Sequence, residues 1–164
     1  MPDESKGQAL IDEFFDALRL RQLDRCRSAL RSLQCLSGRQ SSWKPWRAYL
    51  EGIWAFEALI DPETLPEIKL ESNRIEARWA VDGKRQVNLD PGYVSMAKLV
   101  LATTKNHGHR IYVGQGIYAE VTLQYRDKAF RPWPWTYPDY GTPRYCELFA
   151  HIRQRYLEQV RPKG

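Results

Sequence analysis

A chain of 164 residues and 19.2 kDa has the size of one domain, since about 150 residues can hide roughly 70% of their unfolded surface around a single core. Hydrophobic residues at 43%, charged residues at 27% and a mean hydropathy of −0.60 exclude the disordered, collagenous and membrane classes. Lys and Arg at 25 against Asp and Glu at 20 leave +5, which permits an anionic partner without requiring one.

The cysteines, Cys26, Cys35 and Cys146, are odd in number and lack CxxC spacing, so neither a disulfide framework nor a zinc site is expected. The start MPDESKGQAL has no basic region before an apolar run, and nothing approaches the ~18 apolar residues of a membrane span. A cytoplasmic chain without membrane contact is the expectation.

In chain order, Leu10, Phe14, Leu18, Leu23, Cys26, Leu30 and Leu33 recur at helical spacing, predicting a helical arm over residues 1–42. The segment from residue 19 to 47 carries Arg19, Arg21, Arg25, Arg27, Arg31, Arg39, Lys44 and Arg47 against Asp24 alone, so the basic excess is local. A second region, 43–164, is expected to form the main α+β domain. Within it, Trp46, Tyr49, Leu50, Ile53, Trp54, Phe56 and Leu59 predict an apolar helix ending near Ile60. Asp61-Pro62-Glu63 is an N-cap followed by Pro in the first turn, and Leu65, Ile68, Ser72, Ile75 and Trp79 extend a helix over 62–80. Strand is the competing assignment for Ile68 to Ala80.

Asp82-Gly83 predicts a turn, Gln86 to Leu89 a short strand, and Asp90-Pro91-Gly92 another turn. Val94 to Thr104 is assigned to a helix from the spacing of Val94, Ala97 and Leu101. Arg110 to Val113 and Ile117 to Tyr125 alternate as strands around Gly114-Gln115-Gly116, a hairpin signal. Its GxGxxA match to a dinucleotide fingerprint is set aside, because a strand rather than a helix follows. Pro143 to Val160 places Tyr145, Leu148, Phe149, Ile152 and Tyr156 on one helix face. The fold class is therefore α+β: a small, mainly antiparallel sheet packed by several helices, with a helical N-terminal arm.

No phosphate loop, HExxH, GxSxG or EF-hand string occurs. The informative strings are NLDPGY, KLVLATTK, HGHRIYV, GIYAEVTLQY and WTYPDY. Together they closely resemble the bacterial DUF4416 family, a domain of unknown function of which some members carry a GTP-binding label, over roughly residues 50–160. The resemblance implies nucleotide binding as the first activity to consider. Family members usually open with a short hydrophobic strand and an α unit, where this chain has its Arg-rich arm.

Candidate site residues come from the matching region. Asn88 and Asp90 stand at a strand end, where polar side chains reach ligands in α/β proteins, although Asp90 before Pro91 is equally a turn former. Lys98, assigned mid-helix, reaches a ligand or snorkels into solvent. Thr104, Lys105, His109 and Arg110 form a donor cluster able to grip phosphate or carboxylate, or else a helix cap and a solvated loop. His107 and His109 point the same way on an extended chain and could share a metal with Glu120 or Asp90, but His107 stands outside the family-like HRIY string and no metal is assigned.

On the strand from Ile117 to Tyr125, strict alternation sets Ile117, Ala119, Val121, Leu123 and Tyr125 on one face and Glu120 on the other. If that second face is open to water, Glu120 is a solvated charge; if a helix or the WTYPDY loop covers it, Glu120 needs Arg110, Lys98 or Lys105 as a partner and is able to act as a general base. Trp135, Tyr137 and Tyr140 stack on a planar group, with Asp139 accepting hydrogen bonds from it, or the loop is a proline-stiffened lid.

These residues lead to one functional expectation: a ligand-binding domain for a phosphate-bearing small molecule, a nucleotide or phosphate ester, with Glu120, His109 and Asp90 as the catalytic candidates if a reaction occurs. No motif names a cofactor, and the oligomeric state stays open. The alternative is a nucleic-acid or protein-interaction module using the Arg-rich arm.

Overall fold

The computed structural model describes residues 45–46, 53, 55–56, 58–84 and 88–161. These fall into two compact units, one of Glu67–Leu89 and one of the remaining described residues. The predicted arm and its boundary at residue 42 lie outside the described residues.

The helical periodicity after Asp61 holds. A 3-10 turn, Pro62–Thr64, leads into helix α1, Leu65–Arg78. Asp61 caps the start, its side chain accepting from the Glu63 amide at 3.0 Å, and Pro62 and Pro66 fall where their missing N–H groups cost nothing. Leu65, Ile68, Ser72 and Ile75 are buried along one stripe, as their spacing requires. Lys69 and Glu76 are buried beside them and form a clasp. Lys69 Nζ donates to the Leu89 carbonyl at 2.6 Å, and Glu76 Oε1 accepts from the Leu89 amide at 2.6 Å. Val81 and Lys84 bridge the predicted Asp82-Gly83 turn, in which both central residues have positive φ.

The larger unit holds two sheets. β1, Pro45–Trp46, pairs antiparallel with β2, Ala55–Phe56, so the helix expected over 46–60 is corrected to a strand pair at its described residues. An apolar, aromatic-rich run satisfies strand and helix alike, and an aromatic side chain such as Phe56 fits a pleated surface. The main sheet has β3, Gly92–Val94; β4, Lys98–Thr103; β5, Ile111–Gly114; β6, Ile117–Arg126; and β7, Ala129–Pro132. All pairings are antiparallel, in the order β3-β4-β6-β5, with β7 also on β6.

Three further assignments change here. Asn88 and Leu89 are not in a strand, and the strand begins at Gly92 instead. A Cβ at Gly92 would run into the Val100 carbonyl and Leu101, so the residue read as a turn former is required for close strand approach. Val94 to Thr104 is β3 and β4, not a helix. Leu99, Val100 and Ala102 are all buried, and a strand buried on both faces shows no alternation to betray it. The predicted hairpin is present, with Gln115 and Gly116 at φ 54° and 76° matching the twist of the flanking strands. A second hairpin, β6 to β7, turns on Asp127 and Lys128 at φ 53° and 60° and lacks the glycine that would announce it.

Helix α2, Pro143–Val160, opens on Thr142, whose side chain accepts from the Tyr145 amide. It covers the core of Leu99, Leu123, Phe130 and Phe149, each fully buried Leu or Phe contributing about 1.5–3 kcal/mol. Arg153 pins the helix to the β3–β4 turn: its Nε donates to the Met96 carbonyl at 2.6 Å, and its guanidinium lies 3.6 Å over the Tyr125 ring. Among the described residues no helix is long and apolar enough to cross a membrane.

Candidate functional site

β6 is paired by β4 along one side and shared by β5 and β7 along the other. β5 takes Ile117 to Ala119 and β7 takes Leu123 to Arg126, so, among the described residues, positions 120–122 have no strand partner on that side. The loop after β7 fills the gap. Trp135 Nε1 donates to the Val121 carbonyl at 3.2 Å, and Thr136 Oγ1 donates to the Thr122 carbonyl at 2.5 Å while accepting from the Trp133 amide at 2.8 Å. Buried backbone acceptors must be satisfied, and here side chains replace a strand.

The segment before β5 approaches the same gap from the other end. Continuing the register of Ile111 against Ala119 sets Arg110 opposite Glu120. Arg110 Nε donates to Glu120 Oε2 at 2.8 Å, and His109 Nε2 lies 3.0 Å from the same oxygen. Glu120 Oε1 accepts from the Thr122 hydroxyl at 3.4 Å, and Arg110 NH1 donates to the Lys105 carbonyl at 3.0 Å. The Glu120 and Arg110 side chains are 6% and 7% exposed, that of His109 25%. A buried carboxylate needs such compensation, and charge-assisted bonds supply it.

His109 also belongs to a column of four nearly parallel rings. Trp133 stacks on Trp135 at 5.0 Å, Trp135 on His109 at 5.2 Å, and His109 on His107 at 5.9 Å, with interplanar angles of 6°, 13° and 11°. Trp135 therefore stacks on two rings at once. Among the described residues the outer face of His107 carries no ring, and His107 is exposed.

The alternation expected for β6 is corrected by a bulge. Leu99 pairs with Leu123 and Val100 with Val121, leaving Thr122 as the extra residue. Leu101 pairs with Glu120, so Glu120 shares a face with Leu123 and the core, while Ile117, Ala119 and Val121 turn to the other side. The loop containing Trp133 and Trp135 lies along the strand edge at Val121 and Thr122, and of Arg110, Lys98 and Lys105 it is Arg110 whose side chain reaches Glu120.

Of the other sequence-predicted residues, Lys105 joins the cluster through its carbonyl. Thr104 is exposed at the end of β4, and the Thr103 hydroxyl accepts from the Lys105 amide at 3.2 Å. Lys98 is at the start of β4, opposite Gln124; three residues from Leu101, it faces away from Glu120. Tyr137 is 60% exposed and outside the column. Asn88 falls in the smaller unit and is not among the residues that build this cluster.

Asp90 and Asp139 are linked to Glu120 by Tyr140. Burial, and then the negative charges of Asp90, Tyr145, Asp139 and Glu120, push the Tyr140 phenol up to about 12. Tyr140 itself stacks on Phe149 at 6.0 Å and belongs to the core, not to a stacking platform. Beside it, Cys146 Sγ donates to the Tyr140 carbonyl at 3.7 Å, and burial pushes its thiol up. Among the described residues no three His, Cys, Asp or Glu side chains are grouped to hold a metal ion. His107, set aside in the sequence, ends the ring column; its two-residue spacing from His109 was the available signal.

No curated protein and no solved structure matches the chain. The model of one family matches residues 47–156, a span that takes in the whole ring column and the Glu120 cluster and begins after most of the Arg-rich segment. The chain belongs to that family, described as a domain of unknown function (DUF4416).

Proposed function

We propose that this domain binds a phosphate-bearing small molecule carrying a planar group, with nucleotides first. The observation that supports this reading is the ring column, held from beneath by the buried Glu120–Arg110 pair and ending at exposed His107. A base stacks on the outer face of His107, extending the column by one ring. Lys105 and Thr104, both exposed and two or three residues away, supply an ammonium and a hydroxyl to the phosphate. Arg110 is excluded from that role, because its guanidinium is committed to Glu120 and the Lys105 carbonyl. The nucleic-acid and protein-interaction alternative rests on the arm, which lies outside the described residues.

Calorimetric titration of the full chain with GTP, ATP, ribose 5-phosphate and inorganic phosphate tests the proposal. Nucleotides should bind more tightly than ribose 5-phosphate, and His107→Ala should weaken them by roughly 5- to 150-fold, the equivalent of about 1–3 kcal/mol per stacked base. If none of the four binds, or if His107→Ala changes nothing, the reading is wrong.

A further inference from the structure

We infer that His109 is the reacting group of this site, a general base toward a phosphate ester or anhydride, and that Glu120 is its positioning residue; the inference rests on the phosphate-bearing ligand proposed above. Glu120 itself is badly placed for proton transfer to a ligand. Its side chain is 6% exposed, Oε2 takes Arg110 and His109 together, and Oε1 takes the Thr122 hydroxyl. Reaching a ligand would mean breaking those bonds in a buried place.

His109 has the opposite geometry. A carboxylate that already accepts from Arg110 Nε–H accepts from His109 as well, so Nε2 carries the ring proton and Nδ1 carries the lone pair. Nδ1 has no hydrogen bond among the described residues. His107 and Trp135 both stack on the ring, and the side chain is 25% exposed. The Nδ1 lone pair lies in the ring plane and is therefore directed away from both stacked rings. Ring tilt is fixed by stacking, rotation by the Nε2 bond, and the tautomer by Glu120, which is the preorganisation that proton transfer needs.

The charges suit an anionic substrate. Arg110 and Glu120 compensate one another, so a proton arriving on His109 adds one positive charge beside the phosphate. Lys105, held through its carbonyl by Arg110, brings a second. In the reaction a water oxygen forms a bond to phosphorus as the bond from phosphorus to the leaving oxygen breaks. The water proton passes to Nδ1 and then to the leaving oxygen, which returns the ring to its neutral form. Nε2 keeps its proton on Glu120 throughout, and no oxidant or reductant enters.

The first test needs no ligand. In the full chain labelled with nitrogen-15, long-range correlation spectra of the histidine rings should show His109 with its proton on Nε2, and Glu120→Gln should abolish that preference. The second is phosphate release from GTP, ATP and p-nitrophenyl phosphate. His109→Gln should lower kcat at least about 100-fold, within the usual range for a general base, while nucleotide affinity changes little. Glu120→Gln should alter the pH profile of kcat/KM as well as its height, which loss of packing alone would not do. A wild-type His109 protonated on Nδ1 overturns the inference, as does His109→Gln hydrolysing at the wild-type rate. Nucleotide binding without phosphate release overturns this inference and leaves the ligand reading standing, whereas no binding at all removes both.

Discussion

Glu120 and Leu123 face the same side of β6 although they are an odd number of residues apart. Thr122 is the extra residue between the pairs Leu99–Leu123 and Val100–Val121, and one inserted residue inverts the alternation beyond it. The bulge thus places a carboxylate on a face otherwise filled by Leu99, Leu101 and Leu123, where it survives only because Arg110 and His109 reach it.

Removing that carboxylate exposes the dependence. Glu120→Ala leaves the Arg110 guanidinium buried without its counter-charge and should cost about 3–5 kcal/mol in urea unfolding. Glu120→Gln keeps one acceptor oxygen and should cost less. A loss below about 1 kcal/mol for Glu120→Ala would show that Arg110 simply swings out to solvent.

The two stacked tryptophans should respond differently to the same substitution. Trp135 Nε1 donates to the Val121 carbonyl in the gap of β6, so Trp135→Phe loses a hydrogen bond and leaves an acceptor short, a cost of roughly 1–3 kcal/mol. Among the described residues Trp133 Nε1 is buried with no hydrogen-bond partner, so Trp133→Phe should cost less than Trp135→Phe. Thermal unfolding of the two variants side by side decides it, and the reverse order would contradict the gap-filling role.

In the smaller unit, Glu76 faces Lys69 Nζ at 3.9 Å with both side chains about 5% exposed. Glu76→Ala should lower stability by about 3–5 kcal/mol, since it removes the buried counter-charge facing Lys69 and the acceptor of the Leu89 amide together. Lys69→Met combined with Glu76→Leu should lose less than the sum of the two single changes, the signature of a coupled pair. Strict additivity in a double-mutant cycle would refute the clasp.

Tyr140 gives the fold an alkaline limb. Its phenol is held neutral up to about 12 in the folded chain, while the unfolded chain ionises near the ordinary value of about 10. The unfolded state therefore loses its proton first. The stabilisation is complete below about pH 10 and is lost as pH rises toward 12, by roughly 2–3 kcal/mol in total. Tyr140→Phe should flatten that part of the stability profile, measured by urea unfolding at pH 9, 10 and 11. Parallel profiles for wild type and variant would remove Tyr140 as the cause.

By itself the sequence determined the elements whose signals are local. Helix α1 follows from the Asp61 cap, the early prolines and the stripe of Leu65, Ile68 and Ile75; α2 follows from the spacing of Tyr145, Leu148 and Phe149; the β5–β6 hairpin follows from Gly114-Gln115-Gly116. It also offered Arg110, beside Lys98 and Lys105, as a partner for a covered Glu120, without choosing among them. Tertiary structure alone decided the rest. β4 is buried on both faces and so loses the alternation that marks a strand, and the turn at Asp127-Lys128 adopts a glycine-like conformation without glycine. A one-residue bulge, invisible to any local pattern, chose the face of Glu120. The ring column was decided by sheet geometry, because only the gap left between β5 and β7 on β6 brings His107 and His109 against Trp135 and Trp133, residues separated by more than twenty positions along the chain.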